Sequence, residues 1–169
     1  MQIDKKQLSN IKAIFFDFDG VFTDNKVTVS QDGTESVTCS RGDGMGIGLL
    51  SEIGIMSYII SSETNSVVSE RAKKLNILCE QAVSNKAKVI TEICEKHEIN
   101  LSDTIFVGND INDLEAFSVV GVSVAVKDSH EDIFGSVDFV TTKKGGDGAV
   151  REICDLLWRS RGIRKGNKA

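Results

Sequence analysis

Proline is absent from all 169 residues, where average usage would supply roughly eight. No cis-Pro turn can therefore shape a site. Cysteine is sparse and scattered: Cys39, Cys79, Cys94 and Cys154 form no CxxC pair. That spacing argues against structural zinc, and a chain of this size needs no disulfides. Buried, reduced thiols are the expectation. Long apolar runs are missing too, so no membrane-spanning helix is expected. The N-terminal MQIDKKQLSN lacks the hydrophobic stretch of a secretory signal, and cytoplasm is the expected location. There is no basic excess: 20 Lys and Arg stand against 25 Asp and Glu, a net charge of -5. General nucleic-acid binding needs a basic face and is not expected. What remains, 40% hydrophobic and 27% charged, fits one globular domain over residues 1–169.

Against that background one stretch stands out. In FFDFDGVFTD (15–24) an apolar run leads straight into Asp17, Asp19 and Asp24. Carboxylates at the end of a buried strand cost several kcal/mol or more unless compensated, so a metal ion or basic groups are required nearby. The run 11–17 reads as a strand covered on both faces. Residues 26–40 alternate around Asp32-Gly33 and predict a β-hairpin. Helical spacing follows at 44–54, closed by Gly54 as a C-terminal cap. Strands are expected at 55–61, 77–83, 104–108, 121–126 and 137–142, with helices at 66–75, 86–99, 111–117 and 147–161. Alternation of this kind implies right-handed crossovers: an α/β fold with a Rossmann-like parallel sheet and helices on both faces.

Ligands of such sheets bind beyond the carboxyl ends of the strands. The first strand ends at Asp17, the second at Ser61-Ser62-Glu63 and the fourth at Gly108-Asn109-Asp110, while Lys86 opens the helix after the third. Asp17 and Asp19, two apart, point the same way on an extended backbone. Asp113 completes GNDIND. Hard oxygen ligands without Cys or His nearby suit Mg²⁺. Ser61 and Lys86 add a hydroxyl and an ammonium for phosphoryl oxygens.

DFDGVFTD, the Ser61 strand end, Lys86 and GNDIND together resemble the four motifs of the haloacid dehalogenase-like (HAD) phosphohydrolases, in order and over nearly the whole chain. The resemblance implies that Asp17 is a nucleophile forming an aspartyl-phosphate. It implies that Asp19 is the general acid/base, and that Ser61 and Lys86 bind and stabilise the phosphoryl group. Mg²⁺ would be held by the Asp17 side chain, the Asp19 carbonyl and the fourth motif. That motif departs from the family pattern, with Asn109 where an aspartate is usual; the neutral amide brings no charge to the metal, which implies lower metal affinity, and Asp110 is the candidate to compensate.

The intervals after Asp24 and between Ser61 and Lys86 are too short for the cap domain many relatives carry. The capless pattern resembles the tetrameric branch containing 3-deoxy-D-manno-octulosonate 8-phosphate phosphatase. The same branch holds nonulosonate (KDN or sialic acid) 9-phosphate phosphatases and the phosphatase-like domain of acylneuraminate cytidylyltransferases. Oligomerisation would then cover the site. SRGDGMGIGLL, SSETNSVVSERAKKL and GGDGAVREICDLL carry this closer likeness. The candidate substrate-binding residues are Thr23, Gly44, Ser62, Glu63, Arg71 and Lys74. Glu63 and Lys74, with Arg71 between, resemble the nine-carbon members, which places a nonulosonate 9-phosphate ahead of the octulosonate. A catalytically weak assembly module is the rival reading.

Plainer readings exist for several residues. Lys88 competes with Lys86, Asp110 and Asp113 would serve a helix N-terminus equally well, and Arg71, Glu63 and Lys74 could be ordinary surface residues. His97 and His130 read as solvated. The basic tail WRSRGIRKGNKA (158–169) reads as a frayed terminus or as an arm reaching a neighbouring subunit's site.

Overall fold

The computed structural model describes residues 5–162; most of the basic tail lies outside the described residues. Six parallel strands form the sheet: β1 (Ala13–Phe16), β4 (Met56–Ile60), β5 (Leu78–Glu80), β6 (Thr104–Gly108), β7 (Val122–Ala125) and β8 (Phe139–Val140). Their order is β5-β4-β1-β6-β7-β8. β1 is central, with Phe16 in register with Ile59 on one side and Val107 on the other. This is the predicted α/β architecture, with β1 buried along its whole length because both sheet faces are covered.

Helices α2 (Arg41–Glu52), α3 (Val67–Leu75) and α6 (Ala149–Ser160) cover one face. There Ile47, Leu50, Val68, Ala72, Ile153 and Leu157 pack over Ile14, Phe16, Ile59 and Val107. On the other face α4 (Lys86–Lys96) and α5 (Leu114–Val119) bring Ile90, Ile93, Ala116 and Phe117 onto Phe15, Tyr58, Ile60 and Phe106. Alternate side chains of β1 thus feed two separate cores.

Several bounds move. α2 starts at Arg41 because the Ser40 hydroxyl accepts the Gly42 N–H at 3.1 Å and caps it; Gly54, at φ +70, turns the chain out of the helix as expected. A short helix α1 (Lys5–Asn10) was not foreseen. The strands expected at 77–83 and 137–142 keep only three and two residues, since each lies at an edge of the sheet. The hairpin shrinks to β2 (Thr28–Val29) and β3 (Glu35–Ser36), antiparallel and exposed on both strands. It packs no face against a core, so nothing extends its ladder. Two of the four cysteines, Cys39 and Cys79, are only partly buried, against expectation, and all four are free thiols. His97 and His130 are exposed, as expected, although His97 lies 3.2 Å from the Tyr58 hydroxyl. Among the described residues no helix is long and apolar enough to cross a membrane. Between β1 and β4 lie only the hairpin and α2, and between β4 and α4 only α3 and β5. No cap domain is inserted in either interval.

Candidate active site

Asp17 leaves β1 with its N–H bound to the Val107 carbonyl at 2.9 Å, so the central strands set its position. The chain then turns at once. Phe22 N–H returns to the Phe18 carbonyl, Gly20 adopts φ +79, and the Thr23 hydroxyl accepts the Gly20 and Asn25 N–H groups at 3.1 and 3.2 Å. Asp19 is therefore placed by a tight turn and not by strand alternation as the spacing suggested. Thr23, an expected substrate-binding residue, is fully buried and organises that turn.

Lys86 is the lysine the fold brings in. Asn85 caps α4 through the Lys88 N–H, which points the Lys86 side chain inward over the Phe106 ring, 5.8 Å from its centroid. Its Nζ lies 2.9 Å from Asp17 Oδ1 and 2.6 Å from Asp113 Oδ1. Lys88, by contrast, is 72% exposed and pairs with Glu92 at 3.8 Å. Asp113 was legible only as part of GNDIND, yet it is the hub of the site. Fully buried, it binds Lys86 through Oδ1 and the N–H groups of Asn109 and Asp110 through Oδ2, at 2.8 and 3.3 Å. Its reach depends on Gly108, where a Cβ would fall 2.3 Å from Asp113 Oδ2. The signal for it was the i, i+3 capping-box spacing of Asp110 and Asp113.

Two buried carboxylates now share one ammonium. Burial, then the Asp113 charge, push Asp17 up to about 7 against the pull of Lys86. Burial would lower Lys86, but the Asp17 and Asp113 carboxylates outweigh it and hold the ammonium above its ordinary value. Asp19, half-buried, is raised by burial and then by the Glu63 charge. The cluster is short of positive charge on the side away from Lys86.

That side holds the candidate metal ligands. One terminal atom of the buried Asn109 amide lies 2.9 Å from the Asp19 carbonyl oxygen and 3.2 Å from Asp17 Oδ2. With the amide oxygen there, three oxygens face one another. Neighbouring ligands of an octahedral Mg²⁺ with ~2.1 Å bonds stand about 3 Å apart, so the set fits that ion. Among the described residues no three His, Cys, Asp or Glu side chains gather to hold a metal; this site rests on one carboxylate, one carbonyl and one amide. Asp110, the other expected ligand of this motif, has its Oδ1 on the Ile111 N–H at 2.7 Å as a helix cap.

Ser61, buried at the end of β4, accepts the Glu63 N–H at 3.1 Å, leaving its own O–H to donate. Ser62 beside it is exposed. Glu63 folds back on the chain before α3, its Oε1 accepting the Asn65 and Thr64 N–H groups at 2.9 and 2.6 Å, which hold its carboxyl below the usual range. A cleft of about 280 Å³ opens beside Asp19, lined by Lys26, Glu35, Glu63 and Asn65. Val37 and Val67 border both this cleft and a wider, more basic groove of about 750 Å³ with Arg41, Gly44, Arg71 and Lys74. Glu63 and Lys74 thus line adjoining regions. Arg71 also ties α3 to the start of α2, donating to the Ser40 carbonyl at 2.8 Å.

A profile of the haloacid dehalogenase-like hydrolases matches residues 53–153, a span that includes Ser61, Lys86 and Asn109. The 3-deoxy-D-manno-octulosonate 8-phosphate phosphatases of Salmonella typhi and Escherichia coli K12 are each 35% identical over 154 residues, covering 90% of this chain and 82% of theirs. The solved phosphatase of that name from Yersinia pestis superposes with a TM-score of 0.92 at 31% identity, covering 96% of this chain and 88% of that one. The Moraxella catarrhalis protein of that name, solved with magnesium, phosphate and KDO, gives a TM-score of 0.90 at 31% identity over 94% and 91% of the two chains. Motif order, sheet topology and these likenesses agree: the chain belongs to the haloacid dehalogenase-like hydrolases.

Proposed function

We infer that this hydrolase is a Mg²⁺-dependent phosphatase of a phosphorylated 2-keto-3-deoxy sugar acid, with 3-deoxy-D-manno-octulosonate 8-phosphate its first candidate substrate. The observation that carries the reading is the Asp17–Lys86–Asp113 cluster beside an oxygen-lined cation position, in a chain whose relatives over nearly its full length bear that name. The names of these relatives reverse the order expected from Glu63 and Lys74.

Mg²⁺ would be held by Asp17, the Asp19 carbonyl and Asn109, and would supply charge neutralisation for phosphoryl oxygens. Ser61 and Lys86 grip the other phosphoryl oxygens. An Asp17 oxygen attacks phosphorus while the bond to the sugar oxygen breaks, and Asp19 gives its proton to the departing alkoxide. A water then adds to the aspartyl-phosphate, Asp19 takes its proton, and inorganic phosphate leaves with Asp17 restored. The raised affinity of Asp19 for a proton suits both transfers.

A nonulosonate 9-phosphate is the second reading, supported by Glu63 on the cleft and by Arg71 and Lys74 on the adjoining groove. In either case the substrate's carboxylate has basic groups to meet beyond the phosphate site. A cytoplasmic homotetramer that covers the open cleft is part of this proposal. Its support is the exposure of Val27 and Val29 on the hairpin and of Met45, apolar side chains suited to a subunit contact.

Phosphate release from the octulosonate 8-phosphate, KDN 9-phosphate and N-acetylneuraminate 9-phosphate, with Mg²⁺ and with Asp17→Asn as control, tests the reading. Release from one substrate that the variant abolishes establishes the enzyme and its substrate. No release from any of the three rejects the reading in favour of an assembly module.

A further inference from the structure

Asn109 is the single member of the candidate metal set whose side chain carries a donor as well as an acceptor. The amide atom that faces the Asp19 carbonyl oxygen at 2.9 Å and Asp17 Oδ2 at 3.2 Å has two acceptors before it. With NH₂ in that place the amide donates to both. With oxygen in that place three oxygens face one another and need a cation, or a proton held among them, to reconcile them. The two arrangements differ by a half-turn about the last side-chain bond and occupy the same space. Asn109 is 6% exposed, so water has little room to mediate instead. The frame around it is held: its N–H donates to Asp113 Oδ2 and its carbonyl accepts the His130 N–H at 2.8 Å. The other terminal atom of the amide lies against Gly20, where a Cβ would fall 2.1 Å from it, and faces donors only, so oxygen suits that end when NH₂ takes the inner place.

We propose that Asn109 is a built-in stand-in for the metal ion. In the metal-free protein its NH₂ bridges Asp17 Oδ2 and the Asp19 carbonyl, holding the nucleophile and the Gly20 turn as the cation would hold them. When the cation binds, the amide turns over and presents its oxygen. The proposal rests on the reading of this place as the Mg²⁺ site. It gives the asparagine a task an aspartate cannot perform, because a carboxylate has no proton to donate. An aspartate here binds the cation more tightly but leaves facing negative oxygens when the cation is absent. Asparagine exchanges metal affinity for an ordered metal-free site.

The test follows the Asn109 side-chain NH₂ in ¹⁵N-labelled protein, its resonances identified by their loss in Asn109→Ser and Asn109→Asp. In EDTA these protons are expected to exchange with water at least ~10-fold more slowly than those of the exposed Asn112, as hydrogen-bonded protons do. They should then shift in step with Mg²⁺ binding followed by calorimetry. Asn109→Asp should bind Mg²⁺ roughly tenfold or more tightly, the equivalent of one charge-assisted hydrogen bond, and melt at a lower temperature in EDTA. Fast exchange in EDTA, in a protein whose Mg²⁺ binding Asp17→Asn abolishes, overturns the proposal and leaves the metal site standing. No Mg²⁺ binding at all overturns the metal site and the proposal together. The exchange measurement needs only the wild-type fold, so a poorly folding variant does not blunt it.

Discussion

Asp113 and Asp43 are both wholly buried, and the fold treats them in opposite ways. Each oxygen of Asp113 is satisfied, one by Lys86 and the other by two backbone N–H groups. Asp43, in the first turn of α2, accepts the Arg151 N–H through Oδ1 at 3.2 Å, while its Oδ2 has no partner among the described residues. Burial, against weaker help from that N–H, from Arg71 and from Arg151, pushes its carboxyl up to about 6. A buried charge is tolerated when its partners are built into the backbone and costs stability when they are not. The first carboxylate organises a site; the second is a liability that helix packing leaves in place.

Cutting the hub should have the largest effect. Asp113→Ala is expected to lose about 3–5 kcal/mol of stability, because it strands Lys86 and two buried N–H groups together. Urea denaturation measures this, and phosphate release should fall with it. Asp113→Asn should recover less than half, since an amide can accept on one side only and its NH₂ must face either the lysine or the backbone donors. If Asp113→Asn is as stable as the wild type, the hub is not electrostatic.

Lys86→Met should cost about 3 kcal/mol at pH 8. The loss should shrink toward pH 5, where one of the two facing carboxylates takes up a proton. A pH-independent loss would mean that packing over Phe106, and not charge, is what Lys86 contributes.

For Asp43 the sign reverses. Its folded pKa of about 6 lies above the ordinary 3.8. Stability from the protonated form is complete below about pH 4 and is lost as pH rises through 6. Asp43→Asn keeps an acceptor for Arg151 and escapes that loss. It should be more stable by up to about 3 kcal/mol at pH 8, with the gain closing by pH 4. Melting curves at the two pH values decide it, and equal gains at both would refute the electrostatic account. The smallest effect belongs to the other lysine: Lys88→Met, breaking an exposed 3.8 Å pair with Glu92, should move stability by less than about 0.5 kcal/mol and leave turnover unchanged.

The layered sheet was legible because its signals are local and repeated. Apolar runs such as 104–108 had no solvent-facing side to report, and Gly54 and the periodicity of 66–75 marked helices without help from distant residues. The edge strands and the hairpin were overdrawn for the same reason. Their alternation is real, but pairing partners set a strand's length, and β5, β8 and the hairpin have few. In the site, Asp17, Ser61, Lys86 and Asn109 were visible because each follows a strand end or opens a helix.

Local pattern thus established the fold class and the sheet edge and marked most of the candidate site residues, since hydrophobic period and motif spacing are properties of short segments. Three assignments waited for the folded chain, and all three are contacts between segments far apart in sequence. Asp113 became the hub because β6 and α4 bring it to Lys86. Asn109 became the group facing Asp17 because the turn after β6 carries its amide to the end of β1. Asp43 became an unpaired charge because α6 closes over α2 and brings it one N–H donor. Which partner a charged side chain finds is decided by packing, and packing is not periodic.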